Sequence, residues 1–284
     1  MPLLAVLLLL ASAALHTAWN LLLKQAGEKY IASWWVVVSG GIVSLIALFF
    51  TGLPPHEVWA FALFSILLEA VYFLMLSYAY HDNDFSLVYP VSRGTAPALL
   101  ALWSFLFLHE RLANGGLVGL GLIIGGLFIV AASSLFQSNA GQVHLKGFAA
   151  ALFIALIISA YTVIDGAAVK RAPALPYALT VFTLIPLPVT PFILRQYGWS
   201  YLRQVWNEQR FRLPLIGLLG IIAYLFALMA YSIAPLSYSG AIREVSVVMG
   251  AYAGWQFLGE KMGGTRLVGA MVIFAGILTI ALLG

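Results

Sequence analysis

YPVSRGTAPALLALWSFLFLHE, residues 89–110, is an almost unbroken apolar run with one arginine, Arg93, near its start and an acid, Glu110, at its end. A helix needs about twenty such residues to cross a hydrocarbon core of about 30 Å. Adding 150 to these residue numbers carries Arg93 to Arg243, Glu110 to Glu260, Arg111 to Lys261 and Leu117-Val118-Gly119 to Leu267-Val268-Gly269. An ungapped match that sets charge on charge inside apolar segments marks a duplication. The chain reads as a duplicated membrane protein.

Composition agrees. The chain is 63% hydrophobic and 8% charged, with mean hydropathy +1.00. Soluble domains carry roughly 25% charged residues, so this chain has too few to cover a water-facing surface. Transmembrane strands would alternate apolar and polar residues over about ten positions, and no such alternation occurs. Without cysteine, disulfides and thiolate metal sites are excluded. The net charge of +4 lies mainly in loops and suits anionic lipid headgroups rather than nucleic acid. The first run, Pro2 to Leu23, is long for a signal-peptide core and lacks a basic start, so it reads as a retained first span.

Breaks in the apolar runs define ten spans, at 2–24, 31–51, 58–80, 85–108, 114–135, 147–168, 175–196, 214–233, 237–258 and 265–283. The fold class expected is an all-α polytopic membrane protein, with residues 1–135 and 147–284 as two five-helix repeats joined by a linker at 136–146. Five is odd, so the second repeat enters the membrane inverted. Inverted repeats are a frequent plan of secondary transporters, whose sites lie at the repeat interface near mid-membrane. Lys and Arg outside the spans divide nine to three in favour of the side opposite the termini, which by the positive-inside rule puts both termini outside; with four of the nine in one connection, Arg195 to Arg212, only their shared side is firm. That connection also has Trp199, Leu202, Val205 and Trp206 at helical spacing, as a helix lying in the interface would. Gly121-x-x-x-Gly125 and Gly250-x-x-x-Gly254 are candidate close-packing motifs, and Gly115, Gly116, Gly119 and Gly126 smooth one side of the fifth span as Gly269 and Gly276 do the tenth.

Ten spans in two repeats, each with a fourth helix closing on Glu-Arg or Glu-Lys after an apolar end (Leu106 to Arg111, Leu258 to Lys261), resemble the EamA type of the drug/metabolite transporter superfamily over essentially the whole chain. The resemblance implies alternating-access transport of a small metabolite through a central cavity, and fixes no substrate. Glu110 and Glu260 match the family's recurring glutamate and read as structural, accepting orphan N–H groups at the start of the following helix. His109 departs from the family's usual glycine, which the second repeat keeps as Gly259.

Ionisable groups inside spans are costly and point to function. Glu69, midway along the third span with Tyr72 one turn on, suits a proton carrier or a counter-charge for an amine. Arg93 and Arg243 are repeat equivalents and permanently charged. Each needs an anionic ligand or an internal partner, for which Glu69, Asp165 and Glu244 are available. Arg243 and Glu244 are adjacent, about 100° apart on a helix, and are not expected to pair. His16, Trp19 and Asn20 share a face of the first helix, with Tyr161 and Thr162 at corresponding positions in the sixth and Asp165 following. Tyr89, Tyr224, Tyr252 and Trp255 are further candidates for cavity walls. Pro90 and Pro97 flank Arg93 where the second repeat has Gly240 and Val247, so a kink or hinge is expected in the fourth span only.

There is no G-x-x-x-x-G-K-[ST], H-E-x-x-H or G-x-S-x-G motif, so ATP hydrolysis and standard hydrolase chemistry have no support, and no cofactor or metal is expected. The expectation is a non-enzymatic secondary transporter, an exporter or proton-coupled exchanger, for a small polar or zwitterionic metabolite such as an amino acid or organic anion. Its partners would be that substrate, the lipid bilayer and protons, in a monomer or homodimer of a bacterial inner membrane. The rival readings are a hydrophobic-cation exporter, with Glu69 as binder, and a non-transporting intramembrane enzyme or lipid-handling protein.

Overall fold

A computed structural model of the chain describes residues 1–82, 85–110, 113–137, 145–246, 248–250, 252 and 264–283. Its helices are α1 (Leu3–Lys24), α2 (Lys29–Thr51), α3 (Trp59–Asp82), α4 (Phe85–Leu108), α5 (Asn114–Gln137), α6 (Leu145–Val169), α7 (Ala174–Leu184), α8 (Pro186–Gln209), α9 (Arg212–Ile233), α10 (Leu236–Arg243) and α11 (Gly264–Leu283), with a 3-10 turn at His56–Val58. No strand occurs among the described residues. Helix is the form that satisfies every backbone polar group within one segment, as hydrocarbon demands. Six helical stretches among the described residues are long and apolar enough to cross a membrane, and Thr95–Leu108, Asn114–Ile129 and Val268–Ile280 are shorter apolar helices. Large apolar side chains point outward, among them Phe49 and Phe50 on α2 and Leu282 on α11. On a soluble protein such surface would be an interaction patch; here it is the face that meets lipid.

The helix pairs follow a two-fold plan. α1 packs on α9 and α6 on α3; α4 packs on α6 and α10 on α1. Each second pair is the first with the repeats exchanged. α5 and α11 pack on each other, as do α2 and α7, which is the pattern of helices beside the pseudo-axis.

Four glycines fix the α5–α11 contact. A Cβ on Gly119 would stand 2.8 Å from the Gly276 carbonyl oxygen, and one on Gly126 would stand 2.8 Å from that of Gly269. Residue numbers rise along α5 as they fall along α11, so the helices are antiparallel. Gly269 and Gly276 are Gly119 and Gly126 plus 150, and two sequence-equivalent helices that pair antiparallel require inverted repeats. The Gly121-x-x-x-Gly125 motif is not the packing seam: a Cβ at either position would meet nothing within 4 Å. A spacing of seven returns to the same helix face after two turns, and Gly119 and Gly126 have it. Gly254 lies outside the described residues.

The connection from Arg195 to Arg212 is largely helical. Gly198 has φ 72° and ψ 155°, which interrupts α8 and redirects the chain. Leu202 and Val205 beyond it are buried, whereas Trp199 is exposed. Trp35 of α2 donates its indole N–H to the Leu202 carbonyl at 2.8 Å and lies 4.6 Å from Trp206, ring centre to ring centre. Arg212 donates to the Leu22 carbonyl and to Gln25 Oε1, both at 2.8 Å. This segment is therefore fastened to α1 and α2 by protein contacts.

The fourth helices differ in the opposite sense to that expected. α4 runs uninterrupted through Pro90 and Pro97 from Phe85 to Leu108. The break falls in the second repeat, where α10 ends at Arg243 and Glu244 takes φ −72° and ψ 1°. Thr17 of α1 reaches the carbonyl of Ser246 beyond that break at 3.1 Å.

Candidate functional site

A cavity of about 70 Å³ lies between the repeats, walled by α1, α2, α3, α4, α6, α7, α9 and α10. A single water needs roughly 10–15 Å³ on this scale, so there is room for several waters or a small polar ligand. Its charged and polar lining is His16 and Ser12 from α1, Glu69 and Tyr72 from α3, Arg93 from α4, Tyr161 from α6, Tyr224 from α9 and Arg243 from α10. Trp19, Phe73 and Phe182 complete an aromatic wall.

At one end the arginines converge. Arg93 Nη1 lies 3.2 Å from Glu244 Oε1, and Arg243 Nη2 lies 3.7 Å from the same oxygen. Arg93 is 3% exposed and Glu244 2%, so this charge cluster is out of water. The Arg93 guanidinium also meets His16 Nε2, while Trp19 donates its indole N–H to His16 Nδ1 at 3.1 Å. Arg243 stacks over the Tyr231 ring at 5.8 Å. Arg243 and Glu244 do pair, because the helix ends at Arg243 and the 100° step no longer separates them.

The cavity region also holds two buried acids, Asp165 and Glu69. Asp165 accepts from Tyr177 and from Tyr224, each at 2.8 Å, and is 1% exposed. Glu69 is 6% exposed, and its Oε1 has no hydrogen-bond partner. Among the described residues, no three His, Asp or Glu side chains gather as a metal site.

The EamA-like transporter family matches residues 3–132 and again 145–282. The chain belongs to that family, and so to the drug/metabolite transporter superfamily. This EamA-like protein is 30% identical over 135 residues to an uncharacterized protein, MJ1333.1, of Methanocaldococcus jannaschii; the match covers 46% of this chain and 98% of the relative, which therefore has the length of one repeat. A crystal structure of another protein superposes with a TM-score of 0.77 over 98% of this chain and 96% of its own, at 17% identity, a likeness of fold.

Of the residues singled out in the sequence, His16, Trp19, Glu69, Tyr72, Arg93, Tyr161, Tyr224 and Arg243 come together on this EamA-like cavity. Glu244 sits behind it, bridging the arginines. Asn20 turns back along α1, its amide donating to the His16 carbonyl at 2.8 Å, and does not line the cavity. Tyr252 is exposed. The side chain of Tyr89, and Trp255 and Glu260, lie outside the described residues. The role of Asp165 as acceptor for two tyrosines had only its position after Tyr161 and Thr162 as a signal. Phe73 and Phe182 had none, since phenylalanines in apolar helices are everywhere in this chain.

Glu110 caps a helix of the opposite repeat. Its Oε1 accepts from the Leu236 N–H at 2.6 Å, and its Oε2 accepts from the Ser237 N–H at 3.1 Å and hydroxyl at 2.7 Å. These are first-turn groups of α10, so the expected cap is present on α10 rather than on α5, the helix that follows. Lys170 adds an ion pair at 3.4 Å. His109 has φ 52°, the left-handed region that glycine favours. That turn brings Glu110 off the end of α4 toward α10.

Proposed function

We propose that this protein is a secondary transporter of a small polar or zwitterionic metabolite, working by alternating access about the central cavity, in a bacterial inner membrane. The observation that carries the reading is the sharing of Glu244 Oε1 by Arg93 and Arg243. Two fixed positive charges against one negative leave the cavity end suited to a substrate carboxylate, which a guanidinium binds through paired hydrogen bonds. Glu69 and the aromatic wall face the rest of the ligand, and an ammonium group would sit well there. Rocking of the two repeats would open the cavity to each side in turn.

A second reading, export of a hydrophobic cation, draws on Glu69 and the aromatic wall, which together suit a cation. Thermal unfolding of the purified protein against amino acids, organic acids, phosphorylated metabolites, amines and drugs separates the two. A ligand at 100 times its Kd stabilises the folded state by about 2.7 kcal/mol. The first reading expects a carboxylate-bearing compound to raise the midpoint and R243A to abolish that response. Stabilisation by amines alone, lost in E69Q and kept in R93A and R243A, would establish the second reading instead.

A further inference from the structure

We propose that Glu69 and Asp165 form a two-acid proton-binding site, with Glu69 carrying the exchangeable proton and Asp165 acting as a fixed anion beside it. The site rests on the transporter reading only for its use in coupling. Asp165 is held by two phenol donors from different helices, Tyr177 on α7 and Tyr224 on α9. Those bonds satisfy a carboxylate as it stands. Glu69 is in the reverse position: its Oε1 is buried and unpartnered. A bare carboxylate oxygen in low dielectric is costly, whereas a protonated one is a neutral group.

The surroundings are built for a small cation. Ser65, one turn before Glu69 on α3, is fully buried and lies beside Asp165, with its Oγ completing no hydrogen bond. Tyr224 lies against Glu69 as well as Asp165 and lines the cavity. Its single hydroxyl proton goes to Asp165, which leaves its oxygen free to accept from a protonated Glu69. The other charged or titratable groups facing this pair are Tyr72 and Tyr161, with Arg243 and Arg93 on the same cavity. Tyr224 thus joins the acids to the ligand space, and an ammonium group entering there would compete with the proton for Glu69. That competition would couple release of the proton to binding of the ligand.

The test needs no substrate. Infrared pH titration of the full chain in lipid follows the carbonyl band of protonated carboxylic acids. The wild type is expected to show a titrating band that E69Q removes. Two carboxylates sharing a site strongly perturb one titration, so D165N is expected to displace the midpoint by about one unit or more while D165E leaves it nearly in place. If D165N fails to fold, Y224F carries the same test, since it removes one donor from Asp165 and the acceptor from Glu69. A band that persists in E69Q, or a midpoint unmoved by D165N and Y224F, overturns the proposal. So does loss of the band on replacing choline by sodium at constant pH, which would make the site a sodium site. Failure here leaves the ligand panel untouched, and an unresponsive panel leaves this titration untouched.

Discussion

Replacing Glu110 by alanine tests the bond between the repeats at its most measurable point. The carboxylate is 9% exposed and accepts three hydrogen bonds from the first turn of α10. Loss of a helix N-cap costs about 0.5–2 kcal/mol, and a hydrogen bond to a charged group is worth about 1.5–3 kcal/mol. Water reaching the freed N–H groups offsets part of the sum, so E110A should destabilise by about 2–3 kcal/mol. At about 2–4 °C per kcal/mol for a chain somewhat smaller than this, the unfolding midpoint should fall by about 4–12 °C. E110Q keeps one acceptor oxygen and should fall about half as far. K170A breaks only the ion pair to a lysine that is 39% exposed, a contact worth about 0–1 kcal/mol. Fluorescence-detected unfolding in detergent therefore should rank E110A below E110Q below K170A. If E110A and K170A shift alike, the ion pair and not the cap holds the two repeats here, and the reasoning fails.

Three further outcomes follow from the packing. H109G should stabilise by about 0.5–1 kcal/mol, because it relieves a left-handed residue, and H109A should bring no gain in the same unfolding assay. G119A or G126A should destabilise by about 1–3 kcal/mol, since each new methyl meets backbone of α11; G121A and G125A should be neutral or stabilising, and equal effects at all four sites would refute the assigned seam. E244Q leaves two guanidiniums without their shared anion and should cost about 3 kcal/mol or more. The double variant R93Q/E244Q should recover part of that loss in a double-mutant cycle.

The membrane class and the duplication were legible because both are written in residue identity. Twenty-residue apolar runs set helix length, and the shift of 150 needed only a comparison of charges. The seam between α5 and α11 was half legible: the glycines stood out, but which ones touch depends on where the partner crosses. Three local matters were read wrongly for physical reasons. Glu110 does cap a helix, but its partner belongs to the other repeat, and a cap formed across 126 residues leaves no local signal. Pro90 and Pro97 predict a break in α4, whereas the break lies after Arg243, in a stretch with no proline. Because that break was unseen, Arg243 and Glu244 were placed on different faces of a helix that ends between them.

The cavity is where the two-fold plan stops. Arg93 and Arg243 are equivalent in sequence, but Glu244 stands where the first repeat has Gly94. One carboxylate from the second repeat therefore serves an arginine from each. A scaffold that opens alternately to two sides profits from symmetry in its helix contacts, since exchanging the roles of the repeats then costs little. A binding site has the opposite need, because one ligand has two different ends. The structure meets both demands: the helix contacts, α5 on α11 and α1 on α9 with α6 on α3, are symmetric, while the charges on and just behind the cavity are unequal. It follows that the arginines should not be interchangeable in function. Both charges line the cavity, but R93A removes the tighter of the two contacts to Glu244 and one to His16, whereas R243A removes the weaker contact and the more accessible guanidinium, 11% exposed against 3%. R93A should therefore lower stability more than R243A, and R243A should lower ligand response more than it lowers stability. Equal loss of both in the two variants would mean that the pair acts as one structural unit, and the carboxylate end of the site would have to be sought elsewhere.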